Sequence, residues 1–405
     1  MKSKANLVAA VLLTGAIVFN LVFLWSEVAV ETPSFNDTAL HLPLIQRAAE
    51  AFAQGDDPTD SWVPYFVQGY PLFHHYQHLP HVATAFLSHA FQGLLGLETL
   101  FNWLRYLLLC TFPLSIFWAS RRLGFKPRPA ALAGVVSSLL ATNGLLGLEM
   151  GSYIWRGSGL FTQLWGMWFL PPALAGMYVT LREGKSYAGT ALLVAATLLS
   201  HTVLGYIALL SGGLFVFLGG WAPAGRRLLR LLLLFLLVAL LASYFIIPFL
   251  QDHGYMNRSV WEDPGKYDAY GWEWTLSTLV EGDLLDAGRF PALTILAGLG
   301  LAVSFFHWRE ERYRFAVVLF TAWLLLYFGR PTWGVLLELL PLGHDLHLHR
   351  LIAGVHVGAI GLIGVGLGWL WERALEIRKR WPFIAVALLT IGLLGPVYYL
   401  SLIHI

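Results

Sequence analysis

Uncharged apolar blocks dominate this chain and leave one class of fold open to it. Residues 5–25, ANLVAAVLLTGAIVFNLVFLW, contain no ionisable side chain, and further apolar runs follow at about 99–120, 129–147, 158–181, 187–201, 203–220, 231–251, 290–306, 314–329, 351–371 and 382–400. Roughly 20 such residues in a helix cross the hydrocarbon core of a bilayer. With 57% of its 405 residues hydrophobic and 12% charged, the chain lies outside the range of soluble domains. The pattern predicts an all-α polytopic membrane protein with about eleven transmembrane helices, forming one multi-spanning domain over residues 1–405. Nothing in it points to nucleic acid. The first run is too long for a signal-peptide core and is followed by SEVAVETP, with no clear cleavage site, so it reads as an uncleaved helix. The single cysteine, Cys110, can form no intramolecular disulfide.

Charge predicts the orientation. If residue 1 is cytoplasmic, the inner segments are 1–5, RRLGFKPR, REGKS, GRRLLR, HWREERYR and WERALEIRKR. Together they hold 18 of the 26 Lys and Arg but 5 of the 24 acidic residues. The outer segments are then 29–98, 148–157, 252–289 and 330–350, and the polar residues of interest fall there. Within the long first outer loop, residues 38–54 place Leu40, Leu44, Ala48 and Phe52 at spacing four, with Gln46, Arg47 and Glu50 toward water, which predicts an interfacial helix. Residues 78–97, studded with His78, His81 and His89, predict a second interfacial helix, with a span as the alternative.

The first loop opens on ETPSFNDTALHLPL, in which Asp37 stands one helical turn before His41. Asp37 is either an N-cap or a chemical group, and a helix start at NDTAL favours capping when taken alone. It has company at the same membrane face. Glu149 ends an apolar run in GLLGLEMGSYIW, and His201 interrupts some of the most apolar sequence in the chain. Ionisable groups at membrane depth are costly and default to functional candidates. His201 is either a neutral imidazole bonded to a backbone carbonyl or a metal or phosphate ligand. Carboxylates with imidazole suit Mg, Mn or Zn, although no close-spaced metal motif is present.

Farther along the loop, SWVPYFVQGYPLFHHYQHLPH has a turn at Gly69 and Pro71 and a stripe of His74, His78 and His81. The stripe suits either a metal or the headgroup region, with His74 or His75 the better site candidate. Trp62, Tyr65, Tyr70, Tyr153 and Trp155 offer rings that stack on sugars, unless they form an aromatic belt. Near the end, LPLGHDLHLHRLIAG places Asp345, His347 and His349 before Arg350, which opens a span and is suited either to snorkel or to grip an anion such as a phosphate.

These stretches, NDTALHLPLIQRAAEAFAQGD, SWVPYFVQGYPLFHHYQHLPHVATAF, the span ending LLSHT, and HDLHLHRLIAG, resemble the C-type glycosyltransferases, which take sugars from polyprenyl-phosphate donors. Within that superfamily the chain is most similar to the bacterial membrane proteins labelled 6-pyruvoyl-tetrahydropterin-synthase-related. The resemblance implies that Asp37 is the catalytic or metal-organising carboxylate, with Glu149 as a second outer-loop acid and His201 as a helix-end histidine. The second outer loop lacks the Asp-x-Asp or Glu-x-Asp pair, a departure that bears on the metal. Many members carry a periplasmic domain after the last span, whereas this chain ends at YYLSLIHI and reads as a truncated or minimal member.

The expectation is therefore a glycosyltransferase in a bacterial or archaeal plasma membrane, acting at its outer face on a glycan, lipid or protein acceptor. Asp37 is the base; Glu149, His201 and His74 are candidate ligands of a divalent cation; His41, His75, Tyr70, Arg350, His349 and Asp345 are candidate substrate contacts. The competing classes are a lipid or solute transporter and an inert scaffold. A transporter usually shows internal repeats and a midplane site, whereas here the polar residues gather at one face.

Overall fold

The computed structural model describes residues 2–29, 36–64, 69–91, 94–154, 157–255, 261, 263–377, 381, 382, 384–390 and 392. The described residues are helical, with two isolated β-bridges, Val63–Tyr70 and Ala141–Asp286. The longer helices are α1 (Lys2–Phe23), α2 (Asp37–Gln54), α3 (Leu79–Ala90), α4 (Leu97–Arg122), α5 (Pro127–Ser137), α6 (Phe161–Glu183), α7 (Tyr187–Ser200) and α8 (Thr202–Phe217). They continue as α9 (Ala224–Leu241), α10 (Ser243–Gln251), α11 (Trp272–Glu281), α12 (Ala292–Phe306), α13 (Glu311–Tyr327) and α14 (Ile352–Glu376).

Four stretches are long and apolar enough to cross a membrane: Ala5–Ala29, Leu97–Arg122, Phe161–Glu183 and Leu348–Glu376. Two bent pairs, α9 with α10 at 79° and α13 with Arg330–Leu339 at 78°, raise the number to six if each is one span. Of the about eleven spans expected from the sequence, four to six are candidates by length and composition among the described residues. Some of the apolar runs fold into shorter pieces. The helices α7 and α8 have 14 and 16 residues, or roughly 21 and 24 Å, against a hydrocarbon core of about 30 Å. The run at 129–147 is not one helix: α5 stops at Ser137, and positive φ at Gly144 (74°) and Leu146 (60°) turns the chain into a loop. Most of the run at 382–400 lies outside the described residues.

Helix α14 lies at the centre, packed on α5, α12 and α13. Lipid gives helices no hydrophobic reason to associate, so close packing between small residues has to hold them. A Cβ at Gly358 would stand 2.5 Å from Phe320 Cα, and one at Gly300 of α12 would stand 1.8 Å from the Leu362 carbonyl oxygen. A second tie joins α4 to α6. Pro172 lacks an N–H and so leaves the Trp168 carbonyl without its helical donor; the Ser115 hydroxyl of α4 supplies one at 2.6 Å.

The first-loop helices α2 and α3 pack on each other and reach α4 and α6 through a small separate core of Ile45, Ala48, Ala85, Phe101 and Phe161. The buried face of α2 comprises Thr38, His41, Leu44, Ile45, Ala48 and Ala51. It is rotated from the expected Leu40–Leu44–Ala48–Phe52 stripe because it covers protein as well as apolar surroundings, and it takes His41 inside. Gln46 and Glu50 are exposed, as expected, whereas Arg47 is held by the Trp62 carbonyl at 3.0 Å and by Glu50 at 3.2 Å. Helix α3 has 12 residues, roughly 18 Å, too short to span; residues 78–97 do not form one continuous helix.

Candidate functional site

Four segments meet at one end of the bundle: the start of α2, the loop from 138 to 160, the break between α7 and α8, and the turn Leu348–Leu351 that leads into α14. The first is tied to the second where Asn36 Nδ2 donates to the Gly157 carbonyl at 2.5 Å. Gly159, with φ of 85°, lies against Asp37; a Cβ there would be 3.0 Å from Asp37 Cβ.

Asn36 occupies the cap position of α2 and makes no side-chain cap bond, while Asp37 is the first helical residue. Asp37 therefore caps nothing, and the capping reading does not hold. Its Oδ2 accepts a hydrogen bond from His41 Nε2 at 3.2 Å, and its side chain is 30% exposed. No other hydrogen bond to this carboxylate occurs among the described residues. His41 in turn meets His81 Nε2 through its Nδ1 at 2.9 Å.

Glu149 is buried in the second loop, where Oε1 accepts from Thr142 Oγ1 at 2.8 Å and Ser152 Oγ at 2.6 Å. Its Oε2 has no hydrogen-bond partner. The nearby His356 Nδ1, at 3.6 Å, does not supply one. That nitrogen accepts the Leu148 N–H at 2.9 Å, and His356 Nε2–H donates to the Leu284 carbonyl at 3.0 Å. His356 is thus neutral with its lone pair toward the loop, and the 3.6 Å approach is no ion pair. The ring fits because residue 147 is glycine: a Cβ there would meet His356 Nδ1 at 2.4 Å.

Arg350 is steered by Gln163, whose Oε1 accepts from Arg350 Nη1 at 2.6 Å. Gln163 is itself fixed, because its Nε2 donates to the carbonyls of Leu146 (2.7 Å) and Gly147 (3.0 Å) and to the Tyr153 hydroxyl (3.0 Å). Tyr153 donates to the Gly147 carbonyl and is fully buried. It holds the loop and offers no face to a sugar; Tyr65 and Trp155 lie outside the described residues. A guanidinium has five N–H donors, and the bond to Gln163 is the one side-chain hydrogen bond Arg350 makes among the described residues. Tyr76 lies within electrostatic reach of both Asp37 and Arg350, and burial pushes its phenol up to about 12, so it stays a neutral donor.

His201 sits in extended backbone between α7 and α8 and accepts the Leu204 N–H through Nδ1 at 3.3 Å. It is the N-cap of α8, a position usually taken by Ser, Thr, Asp or Asn, and it abuts Gly166 of α6. His349 Nδ1–H donates to the Lys266 carbonyl at 2.6 Å, leaving Nε2 buried without a partner.

The other sequence candidates lie elsewhere. His74 bridges two carboxylates, with Nδ1 at 2.8 Å from Asp252 and Nε2 at 3.0 Å from Asp60. Burial alone would lower its pKa, but these two hydrogen bonds outweigh that and raise it. His75 stacks on Tyr70 with ring centroids 5.2 Å apart, and its Nδ1 is buried and unpartnered. Asp345 pairs with His253 at 3.4 Å on an exposed surface.

The expected metal set is not assembled. No three His, Cys, Asp or Glu side chains among the described residues are grouped to hold an ion. Glu149 Oε2 is a free acceptor, yet His201 caps a helix and His74 spans two aspartates, so Glu149, His201 and His74 form no common shell. The residues as arranged do not fit a divalent cation. Sequence reading also gave no role to Gln163, Tyr76 or His356, whose partners are far away in the chain; a polar residue inside an apolar run was the available signal for Gln163 and His356.

No protein-family model matches the chain. No curated protein matches it. Solved structures do. The crystal structure of the Archaeoglobus fulgidus oligosaccharyltransferase tethered with an acceptor peptide containing the NVT sequon is 12% identical, with a TM-score of 0.61 over 97% of this chain and 54% of that one. The same enzyme in complex with Zn and sulfate is 14% identical, with a TM-score of 0.59 over 96% of this chain and 52% of that one. The chain thus spans about half the length of the enzyme it matches. At this identity the likeness shows the fold alone: this chain shares its helical architecture with about half of that oligosaccharyltransferase.

Proposed function

We propose that this chain is an inverting glycosyltransferase that moves a sugar from a polyprenyl-phosphate donor to a glycan, lipid or protein acceptor. The reading includes a cytoplasmic N-terminus, a site at the outer face of a bacterial or archaeal plasma membrane, and more spans than the four to six counted by length, with α7, α8 and α12 crossing as shorter helices. The observation that carries it is the meeting of two incompletely engaged charged groups at one end of the bundle. Asp37 has a single hydrogen bond, and Arg350 uses one of its donors on Gln163. Tyr76 lies within electrostatic reach of both.

The chemistry follows from those groups. The Asp37 carboxylate takes the proton from an acceptor hydroxyl as that oxygen attacks the anomeric carbon. The bond from that carbon to the phosphate oxygen breaks on the opposite side, and polyprenyl phosphate leaves with the electron pair. Arg350 holds the phosphate and neutralises the charge that builds on it. In this reading His349, next to Arg350, contacts the sugar or phosphate, while His75, Tyr70 and Asp345, which lie apart from Asp37 and Arg350, serve more distant parts of the donor or acceptor. The sulfate in one A. fulgidus oligosaccharyltransferase structure is chemically akin to the leaving phosphate.

Asp37→Asn tests the proposal. Asn36 holds the cap position and Asp37 makes no cap bond, so the variant should fold and bind donor as wild type does. An amide accepts no proton at neutral pH, and base catalysis contributes about 10² to 10⁴-fold. Transfer from a panel of undecaprenyl-phosphate hexoses should fall by that factor; more than about a tenth of wild-type turnover would remove Asp37 as the base.

A further inference from the structure

Two buried imidazoles stand behind Asp37, and with both rings neutral and the carboxylate ionised one hydrogen-bond pattern satisfies their contacts. An ionised carboxylate only accepts, so the 3.2 Å contact of Oδ2 with His41 places a hydrogen on His41 Nε2. A neutral His41 then presents a lone pair at Nδ1, and the 2.9 Å contact there requires His81 to donate from Nε2. His81 Nδ1 is left as a lone pair, consistent with its being buried and without a partner. Burial holds His81 well below the usual imidazole range and keeps it neutral.

Rings surround the pair, and the one hydroxyl among them, that of Tyr76, meets Thr162 Oγ1 at 3.4 Å. Phe161 lies 5.6 Å from His41 and 6.1 Å from His81 between ring centroids, Tyr76 lies 6.2 and 6.0 Å away, and Phe73 stands 5.5 Å from His81. Both imidazoles are fully buried, whereas the Asp37 side chain is 30% exposed. The ordered chain of donors therefore runs from the interior toward the site and ends on one oxygen of Asp37.

We propose that His81, acting through His41, is a positioning residue for Asp37: its Nε2–H holds the His41 ring so that His41 Nε2–H donates to Oδ2 and leaves Oδ1 for an incoming hydroxyl. The carboxylate alone keeps the hydrogen on His41 Nε2, and what His81 adds is the second anchor of the ring. Without it the buried Nδ1 lone pair has no donor, the ring turns about its side-chain bonds, and Oδ2 loses a fixed partner. This inference rests on Asp37 being the base of the proposed transfer, although the hydrogen bond itself does not.

The test uses the full chain in nanodiscs with His81→Leu, which has no donor, and His81→Gln, whose side-chain amide can donate in place of the ring. NMR of nitrogen-labelled histidine should show a His41 Nε2–H proton moved downfield by its bond to Asp37 in the wild type and in H81Q, and loss of that downfield signal in a substantial fraction of H81L. An unchanged His41 Nε2–H signal in H81L overturns the proposal whether or not any substrate is turned over. With whichever undecaprenyl-phosphate hexose the wild type uses, H81L should lose kcat by about 10- to 100-fold at unchanged KM, as expected for a residue that orients a reacting group, and H81Q should recover most of it. Full kcat in H81L, with Asp37→Asn inactive, refutes the positioning role alone. An active Asp37→Asn refutes the base and leaves the NMR result standing. Should H81L not fold, H81F, equally without a donor, takes its place in both measurements.

Discussion

Replacing Arg350 by Lys isolates what the guanidinium contributes. The charge survives, so the Coulomb attraction to a phosphate, about 4 kcal/mol at 4 Å in an effective dielectric near 20, is largely retained. What goes is the planar fork. Arg350 commits one donor to Gln163 and has the rest for a ligand, whereas an ammonium on a flexible stem cannot hold Gln163 and grip two phosphate oxygens in one geometry. Losing one charge-assisted hydrogen bond costs about 1.5 to 3 kcal/mol, which is about 10- to 150-fold in affinity. Native mass spectrometry of the variant with undecaprenyl-phosphate glucose should show that drop, while undecaprenol, which has the tail and no phosphate, should bind as it does to the wild type. Phosphate-lipid affinity within about twofold of wild type would mean that Arg350 does not hold the phosphate.

Three further outcomes are expected. Ser115→Ala leaves the Trp168 carbonyl without a donor inside the bundle and should destabilise the fold by about 1 to 3 kcal/mol; an unchanged melting temperature would show that another group satisfies that oxygen. The His74 bridge to Asp60 and Asp252 has a raised pKa, so its contribution is complete below the ordinary imidazole value of about 6.5 and is lost as pH rises through the raised value. Protection of the amides in residues 69–78, taken relative to intrinsic exchange at each pH, should accordingly fall between pH 6 and pH 9, with His74→Gln abolishing the change; equal protection at both pH values would exclude the clamp. Cysteines introduced at the exposed positions Asp56 and Lys185 should differ toward an impermeant reagent applied from outside, the first labelled and the second not, and labelling of the second would reverse the proposed orientation.

Much of the helical layout was legible because apolar length is a local property. The run expected at 99–120 is Leu97–Arg122, that at 158–181 is Phe161–Glu183, and that at 187–201 is Tyr187–Ser200. The misreading at 129–147 has a local cause as well: LLATNGLLGLE averages apolar, yet Asn143, Gly144 and Gly147 break it, and hydropathy gives their turn-forming geometry too little weight. Asp37 with His41 was legible from spacing alone. The partner of His41 was not, since His81 reaches it from a different helix, and neither was the pairing of Gln163 with Arg350 across 187 positions. The rotation of the α2 face has the same origin. A stripe read from the sequence is centred on the most apolar residues, but a helix lying on protein is turned by whatever polar contact it must bury, here His41.

The first-loop pair α2 and α3 has its own small core, apart from the large one around α14. Cooperative units of different stability open independently, and this one carries Asp37, His41 and His81. During solubilisation, detergent that invades the contact of Ile45 and Ala85 with Phe101 and Phe161 can release the reactive end while the remaining helices stay folded. A preparation can then be monodisperse, fully helical by circular dichroism and catalytically dead. Quality control for this protein belongs at the α2–α3 contact, for instance by a fluorophore near Phe52, and size-exclusion profiles alone are a poor guide.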